Sequence, residues 1–86
     1  MITIYKYEVP LCDEVTFRLP EGFKVLHLDI DPNNKICFWA LVDTSKPLVL
    51  MNVLVFGTGH SLPDEPGQHL GTVIQGAFVW HVFQHN

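Results

Sequence analysis

The residues best suited to chemistry lie between Phe56 and Gly71, in the run FGTGHSLPDEPGQHLG, where glycines, prolines and two histidines break up short apolar segments. Gly57-Thr58-Gly59-His60 follows an apolar strand-like run, a setting in which a loop can cradle a phosphate. It lacks the Lys-Ser/Thr pair of a P-loop and a following helix that would add its dipole. Two readings stand. One is a turn leaving a sheet edge. The other is a nest of backbone N–H groups holding an anion or a nucleotide-like ligand, with His60 beside it and Thr58 adding a hydroxyl. Trp80 offers an aromatic plane of large contact area at small entropic cost. Thr58, Gly59, His60, His69 and Trp80 are therefore the candidate ligand- or partner-binding residues.

Five histidines in 86 residues raise the question of a metal. His81 and His85 have an H-x3-H spacing, but in an extended segment their Cα atoms stand about 13 Å apart at the strand rise, too far to share one ion easily. His60 and His69 flank the loop and could converge near Asp64, yet a loop histidine is more often a plain surface residue. No metal and no cofactor is expected. His27 reads as a packed or half-exposed strand residue. His60-Ser61 has no nucleophile-elbow context, and neither Cys12 nor Cys37 has a histidine nearby in sequence. The carboxylates Asp13, Glu14, Glu21, Asp29, Asp31, Asp64 and Glu65 fall at turns, where solvated caps are the plain reading. An enzyme using His60 or His69 as a general base ranks last among the functions considered.

These residues must be positioned by strands, because the hydrophobic period is two throughout. Ile2 and Ile4 alternate with Thr3 and Tyr5. Val15, Phe17 and Leu19 alternate with Thr16 and Arg18, and Leu19-Pro20-Glu21-Gly22 closes that strand. A third strand runs from about Phe23 to Ile30, and Asp31-Pro32-Asn33-Asn34 turns it into KICFWALV as a hairpin. Asp43 to Pro47 connects to LVLMNVLVF. Two more strands, at Gly71 to Ile74 and Ala77 to Phe83, are separated by Gln75-Gly76. No helical pattern, repeat or linker interrupts this, so residues 1–86 read as one all-β domain. About seven short strands predict a small antiparallel sandwich or barrel.

Three of the strands are apolar on both faces. In KICFWALV, Ile36, Phe38, Ala40 and Val42 lie on one side and Cys37, Trp39 and Leu41 on the other. A two-layer antiparallel domain ordinarily keeps one face of each sheet polar. Charged residues are only 16% of the chain, against roughly 25% in typical domains, and a core of this size is thin. A covering loop would explain the apolar faces. Packing against a second copy explains them together with the shortage of charge, so a homo-oligomer is expected, with Trp39, Leu50 and Leu54 at its interface.

The net charge of −4 and the five scattered basic residues offer no patch for a duplex, so duplex nucleic acid is not expected as a partner. Met1 leads directly into a strand-like run without a signal-peptide pattern. The longest apolar run, Pro47 to Phe56, is broken by Asn52 and far shorter than the roughly twenty residues of a spanning helix. A reduced, cytoplasmic setting without a membrane is expected, with Cys12 and Cys37 as free thiols.

Tyr5-Lys6-Tyr7, Leu19-Pro20-Glu21-Gly22, Trp39-Ala40-Leu41-Val42-Asp43, Gly57-Thr58-Gly59-His60 with Leu62-Pro63, Leu70-Gly71-Thr72 and Val79-Trp80-His81-Val82-Phe83 occur in this order. Taken together they resemble a family of small bacteriophage and prophage proteins across essentially the whole chain. The resemblance implies a phage-encoded accessory protein acting in the host cytoplasm, and it brings no catalytic residues with it. By analogy with small non-structural phage proteins, the expected function is a non-enzymatic binding protein that captures or blocks a host factor, either a defence protein or its nucleotide-like messenger. The alternative is a structural or assembly role in the virion.

Overall fold

A computed structural model describes residues 1–85. Seven antiparallel strands follow one another: β1 (Ile2–Glu8), β2 (Glu14–Pro20), β3 (Lys24–Ile30), β4 (Ile36–Asp43), β5 (Leu48–Gly57), β6 (Gln68–Gln75) and β7 (Phe78–Gln84). They form a three-stranded sheet, β1-β4-β3, and a four-stranded sheet, β2-β5-β7-β6. The two sheets share no strand and pack face to face, so the fold is a sandwich rather than a closed barrel. Among the described residues no helix is long and apolar enough to cross a membrane.

The doubly apolar strands become the inner strands of their sheets. β4 lies between β1 and β3, and β5 lies between β2 and β7. The core is built from their inward rows, with Phe38, Ala40 and Val42 facing Met51, Val53 and Val55, and with Leu19 and Val82 beside them. Phe38 has no exposed surface. Its ring stacks on Tyr7, with centroids 5.0 Å apart, and meets Phe17 of the other sheet edge-on at 5.2 Å. These contacts join three strands from both layers through favourable aromatic geometries.

That cluster sets the phase of β1. Alternation there is as expected, but the inward residue is Tyr7, which is paired with Phe38, and Ile2 and Ile4 point outward and are exposed. An aromatic ring fills the wide space between the layers better than the isoleucines near the strand's free end, so the register follows the tyrosine. The outer face of the smaller sheet consequently carries Ile2, Ile4 and Leu41 around Trp39, whose ring lies 5.8 Å from the Lys6 ammonium.

Asp31-Pro32-Asn33-Asn34 forms the β3–β4 turn, with Asn34 at a φ of 62°. Asp31 is not the solvated cap its position in the sequence suggests. It is buried, one carboxylate oxygen accepts the N–H groups of Asn33 and Lys35 at 2.9 Å, and the other accepts Lys6 Nζ at 2.8 Å. A carboxylate removed from water is tolerated when every lone-pair direction finds a donor. The Lys6 hydrogen bond, with the turn amides behind it, holds the Asp31 carboxyl down at about 2. Cys37 lies buried near this pair, and burial pushes its thiol up from the ordinary range; Cys12 is free and exposed.

The last hairpin differs from expectation in a way that matters for the site. β6 begins at Gln68, not Gly71, because a bulge between His69 and Gly71 takes up an extra residue, Leu70, and lets the ladder continue. The turn is Gly76-Ala77, not Gln75-Gly76, closed by the pair Gln75 and Phe78. Gly76 has a φ of 60°, the positive value that a type II′ hairpin turn places at its first central residue.

Three outcomes follow. Phe38→Ala is expected to cost about 3–5 kcal/mol in denaturant unfolding through the cavity it leaves. Because Asp31 has a folded pKa near 2, below the unfolded value, its stabilisation is present above roughly pH 4 and fades as the pH falls through 2. Acid unfolding of Asp31→Asn should lack that component. Thiol titration of the native protein should modify Cys12 rapidly and Cys37 only on unfolding.

Candidate functional site

Gly57-Thr58-Gly59-His60 is a β-turn: the His60 N–H donates to the Gly57 carbonyl at 3.1 Å, and Gly59 takes a φ of 88°, as the third residue of a type II turn requires. The Gly57 N–H in turn donates to His60 Nδ1 at 3.2 Å. Two of the four amides that an anion nest would use are therefore spent inside the turn, and the imidazole lies back over Gly57. No Lys or Arg lines the hollows at this turn. The turn reading, not the nest, describes the backbone.

Strand register decides which candidates meet. Gly57 pairs with Trp80 on the inward side of the sheet, and Phe56 pairs with His81 on the outward side. Thr58, His60 and Trp80 line one hollow of about 270 Å³ together with Phe78. On the other side of Trp80 and His60 lies a second hollow of about 220 Å³, lined also by Leu11, Cys12 and Asp13. The Trp80 indole N–H donates to Gln75 Oε1 at 3.1 Å, and the Gln75 amide donates to the Asn34 carbonyl at 2.7 Å. The ring is thereby tied to the β3–β4 turn. Exposed Phe78 stacks on it at 5.6 Å, nearly parallel. Trp80 leans on the core, whereas Trp39 lies on the opposite outer face of the molecule.

His69 does not join His60. It is a strand residue on the outward face of β6, and its partners there escaped the sequence reading. His69 Nε2 bonds Thr72 Oγ1 at 3.0 Å, Thr72 Oγ1 bonds His81 Nδ1 at 2.9 Å, and His81 Nε2 bonds Thr58 Oγ1 at 2.8 Å. Thr58 thus belongs to both groups, at the corner where strand becomes turn. The Thr72 hydroxyl has one proton, so it donates to one ring and accepts from the other, which fixes the two tautomers relative to each other. The signal for Thr72 and His81 was the hairpin register. A closing pair Gln75–Phe78 sets Thr72 opposite His81, whereas a turn at Gln75-Gly76 would set it opposite Val79.

Cys12 and Asp13 share a hollow with His60 despite their distance in sequence. The Cys12 thiol, however, donates to the Glu14 carbonyl at 3.3 Å, and His60 Nδ1 already accepts a backbone N–H. A neutral imidazole so engaged carries its proton on Nε2 and has no lone pair free to take one from a thiol. Among the described residues no group of three His, Cys, Asp or Glu side chains could hold a metal ion. What remains is an aromatic shelf held rigid at one end of the sandwich and a hydroxyl–imidazole chain on its larger outer face.

His69→Ala should leave stability within about 0.5 kcal/mol, as surface changes usually do. His60→Ala should cost about 0.5–1.5 kcal/mol, because it strands the Gly57 N–H. Equal and negligible losses in thermal unfolding would contradict the turn-locking role of His60.

Comparison with curated proteins and with solved structures finds no match. One family model, Domain of unknown function (DUF7352), matches residues 1–86, the full length described by the sequence. The aromatic shelf, the hydroxyl–imidazole chain and the sandwich that carries them are thus those of a member of the DUF7352 family.

Proposed function

We propose that this protein is a non-enzymatic binding module that associates with itself through the outer face of β2-β5-β7-β6 and offers the Trp80 end to a partner. One observation carries the reading. The three adjacent strands β5, β6 and β7, of 10, 8 and 7 residues, contain no Asp, Glu, Lys or Arg at any position. Their outward rows expose apolar side chains, with Leu50 59% and Ile74 72% accessible, beside Leu48, Phe56, Val79 and Phe83. Charge enters the outer face of this sheet at its β2 edge, with Glu14 beside Leu54 and Arg18 beside Leu50, and an apolar expanse like the rest is unusual for a surface left to water. The β5, β7 and β6 part brings no like-charge repulsion when it meets its own copy across a two-fold axis.

The interface narrows in two respects from what the sequence suggested. Trp39 belongs to the smaller sheet, so it lies on the far side of the sandwich from Leu50 and Leu54 and cannot join them in one contact. Leu54 alternates outward but is only 8% exposed within the single chain, so it has little surface left to bury. Leu50 is retained, with Leu48 and Ile74 added. The outer face of the smaller sheet is the weaker candidate because Lys6, Lys24, His27 and Asp29 interrupt its apolar side chains.

At the Trp80 end, a rigid aromatic pair beside small hollows suits the anchoring side chain of a partner protein. The resemblance to phage and prophage proteins makes that partner a factor of the host, and the proposed role is to capture or block it in the host cytoplasm. With the Gly57 and His60 amides spent inside the turn, a host protein is favoured over a nucleotide-like messenger at this end.

Light scattering at micromolar concentration should give at least twice the monomer mass. Leu50→Asp combined with Ile74→Asp should reduce it to a monomer that keeps its thermal midpoint near that of the parent, and Trp39→Ala should leave the mass unchanged. A parent protein that is monomeric throughout would overturn the self-association.

A further inference from the structure

The hollow shared by Asp13 and Trp80 holds a carboxylate that nothing else in it answers. The Val55 N–H donates to the Asp13 carbonyl at 3.2 Å, so the β2–β5 register runs one pair past Glu14 and sets Asp13 opposite Val55. Residues opposite each other share a face of their sheet, and Val55 is a core residue. Asp13 therefore projects to the inner side, at the open end of the sandwich. β5 lies between β2 and β7, and two residues beyond Val55 it pairs Gly57 with Trp80. Asp13 and Trp80 thus stand on either side of the end of β5. The His60 imidazole takes the place that a side chain at Gly57 would fill. These residues, with Leu11 and Cys12, line the hollow of about 220 Å³, whereas Phe78, stacked on one face of the indole, lines only the other one.

Among the described residues the Asp13 carboxylate has no ion-pair or hydrogen-bond partner, and the neighbouring Cys12 thiol is given to the Glu14 carbonyl. No Lys or Arg lines the hollow, and the His60 ring, accepting the Gly57 N–H at Nδ1, is neutral. This decides what kind of side chain can anchor there. An anionic one is repelled by Asp13, and an apolar one strips water from the carboxylate without replacing its hydrogen bonds. A cation answers the charge. Guanidinium does so best, because it is planar, is less strongly hydrated than an ammonium, stacks on an aromatic face and forks onto a carboxylate through two parallel N–H bonds.

We infer that this hollow receives the guanidinium of an arginine on the partner protein, stacked on the Trp80 indole and forked onto the Asp13 carboxylate. The inference rests on the reading that the Trp80 end meets a partner, and it names the side chain that anchors there. N-acetyl-arginine amide is the probe, with N-acetyl-citrulline amide as its uncharged isostere and N-acetyl-leucine amide as the apolar control. In NMR titrations the arginine probe should shift the Trp80 indole N–H and the Val55 methyl signals saturably, with a dissociation constant on the order of 10 mM, as suits one detached side chain. The Trp39 indole, on the outer face of the smaller sheet, is the internal reference and should not move. Sodium chloride should weaken the binding, and either citrulline in place of arginine or Asp13→Asn should weaken it about tenfold, the effect of one charge-assisted contact. Asp13 is exposed, so the variant should keep the fold, and a circular dichroism melt confirms it. Leucine that shifts Trp80 as strongly as arginine, or arginine binding that Asp13→Asn leaves unchanged, would overturn the assignment while leaving a partner site at Trp80. Trp80 signals that respond to none of the three probes would overturn the assignment and the docking reading of this end together. Light scattering on the same samples reports self-association separately.

Discussion

The layered arrangement depends on filling the gap between the sheets with the rings of Tyr7, Phe17 and Phe38. Sheets packed face to face stand about 10 Å apart, and a thin core has few side chains with which to close that distance. Phe38 lies on β4, the middle strand of its sheet, and touches a ring from β1 in its own sheet and a ring from β2 in the other. Tyr7 and Phe17 also meet each other, at 6.0 Å. Once Tyr7 is drawn inward, the period of two sends Ile2, Ile4 and Lys6 outward. Lys6 is then placed to reach Asp31 at the β3–β4 turn, and that ion pair covers the region around Cys37. A packing demand at one residue thereby fixes the character of a whole outer face.

The larger sheet divides its work by side. Inward positions of β5 and β7 seal the core with Met51, Val53, Val55, Trp80 and Val82, and most outward positions are apolar as well, with Leu48, Leu50, Leu54 and Phe56 on β5 and Val79 and Phe83 on β7. Polar atoms toward the middle of that face bond to one another, and at the β2 side Thr16 Oγ1 donates to Asn52 Oδ1 at 2.7 Å, with Glu14 and Arg18 at the edge. Thr58, His81, Thr72 and His69 are linked in one chain, so each satisfies its neighbour and the patch around them can be desolvated with few unpaired donors. Such an internally satisfied network suits a surface that is covered rather than one that is hydrated.

Much of this was legible in the residues. The alternation in Val15-Thr16-Phe17-Arg18-Leu19, the breaks at Pro20-Glu21-Gly22 and the turn at Asp31 to Asn34 announce an all-β domain with nearly the right strands. The doubly apolar stretch around Trp39 and Leu50 marks them as inner strands, but it cannot say that they belong to different sheets. Sheet membership depends on which strands exchange partners, and period alone does not encode it. The alternation of Ile2 and Ile4 with Thr3 and Tyr5 points the isoleucines inward, whereas the row that continues to Tyr7 carries the ring that packs on Phe38. The hydroxyl–imidazole chain was hidden by the hairpin turn, where shifting the turn by one residue changes which side chains face each other across the ladder. His69 looked like a loop residue because Gly71 reads as a break, and only the bulge at Leu70 carries the strand across it.

The central claim is that a second copy covers the outer face of β2-β5-β7-β6. Its most direct measurement is an isotope-filtered NOE experiment on a mixture of labelled and unlabelled chains, which detects only contacts between copies. Cross-peaks linking the methyl groups of Leu48, Leu50 and Ile74 to aromatic protons of Phe56 or Phe83 on another copy are the predicted result. Contacts between copies that involve Ile2, Ile4 and Leu41 instead, or none at all, would contradict it.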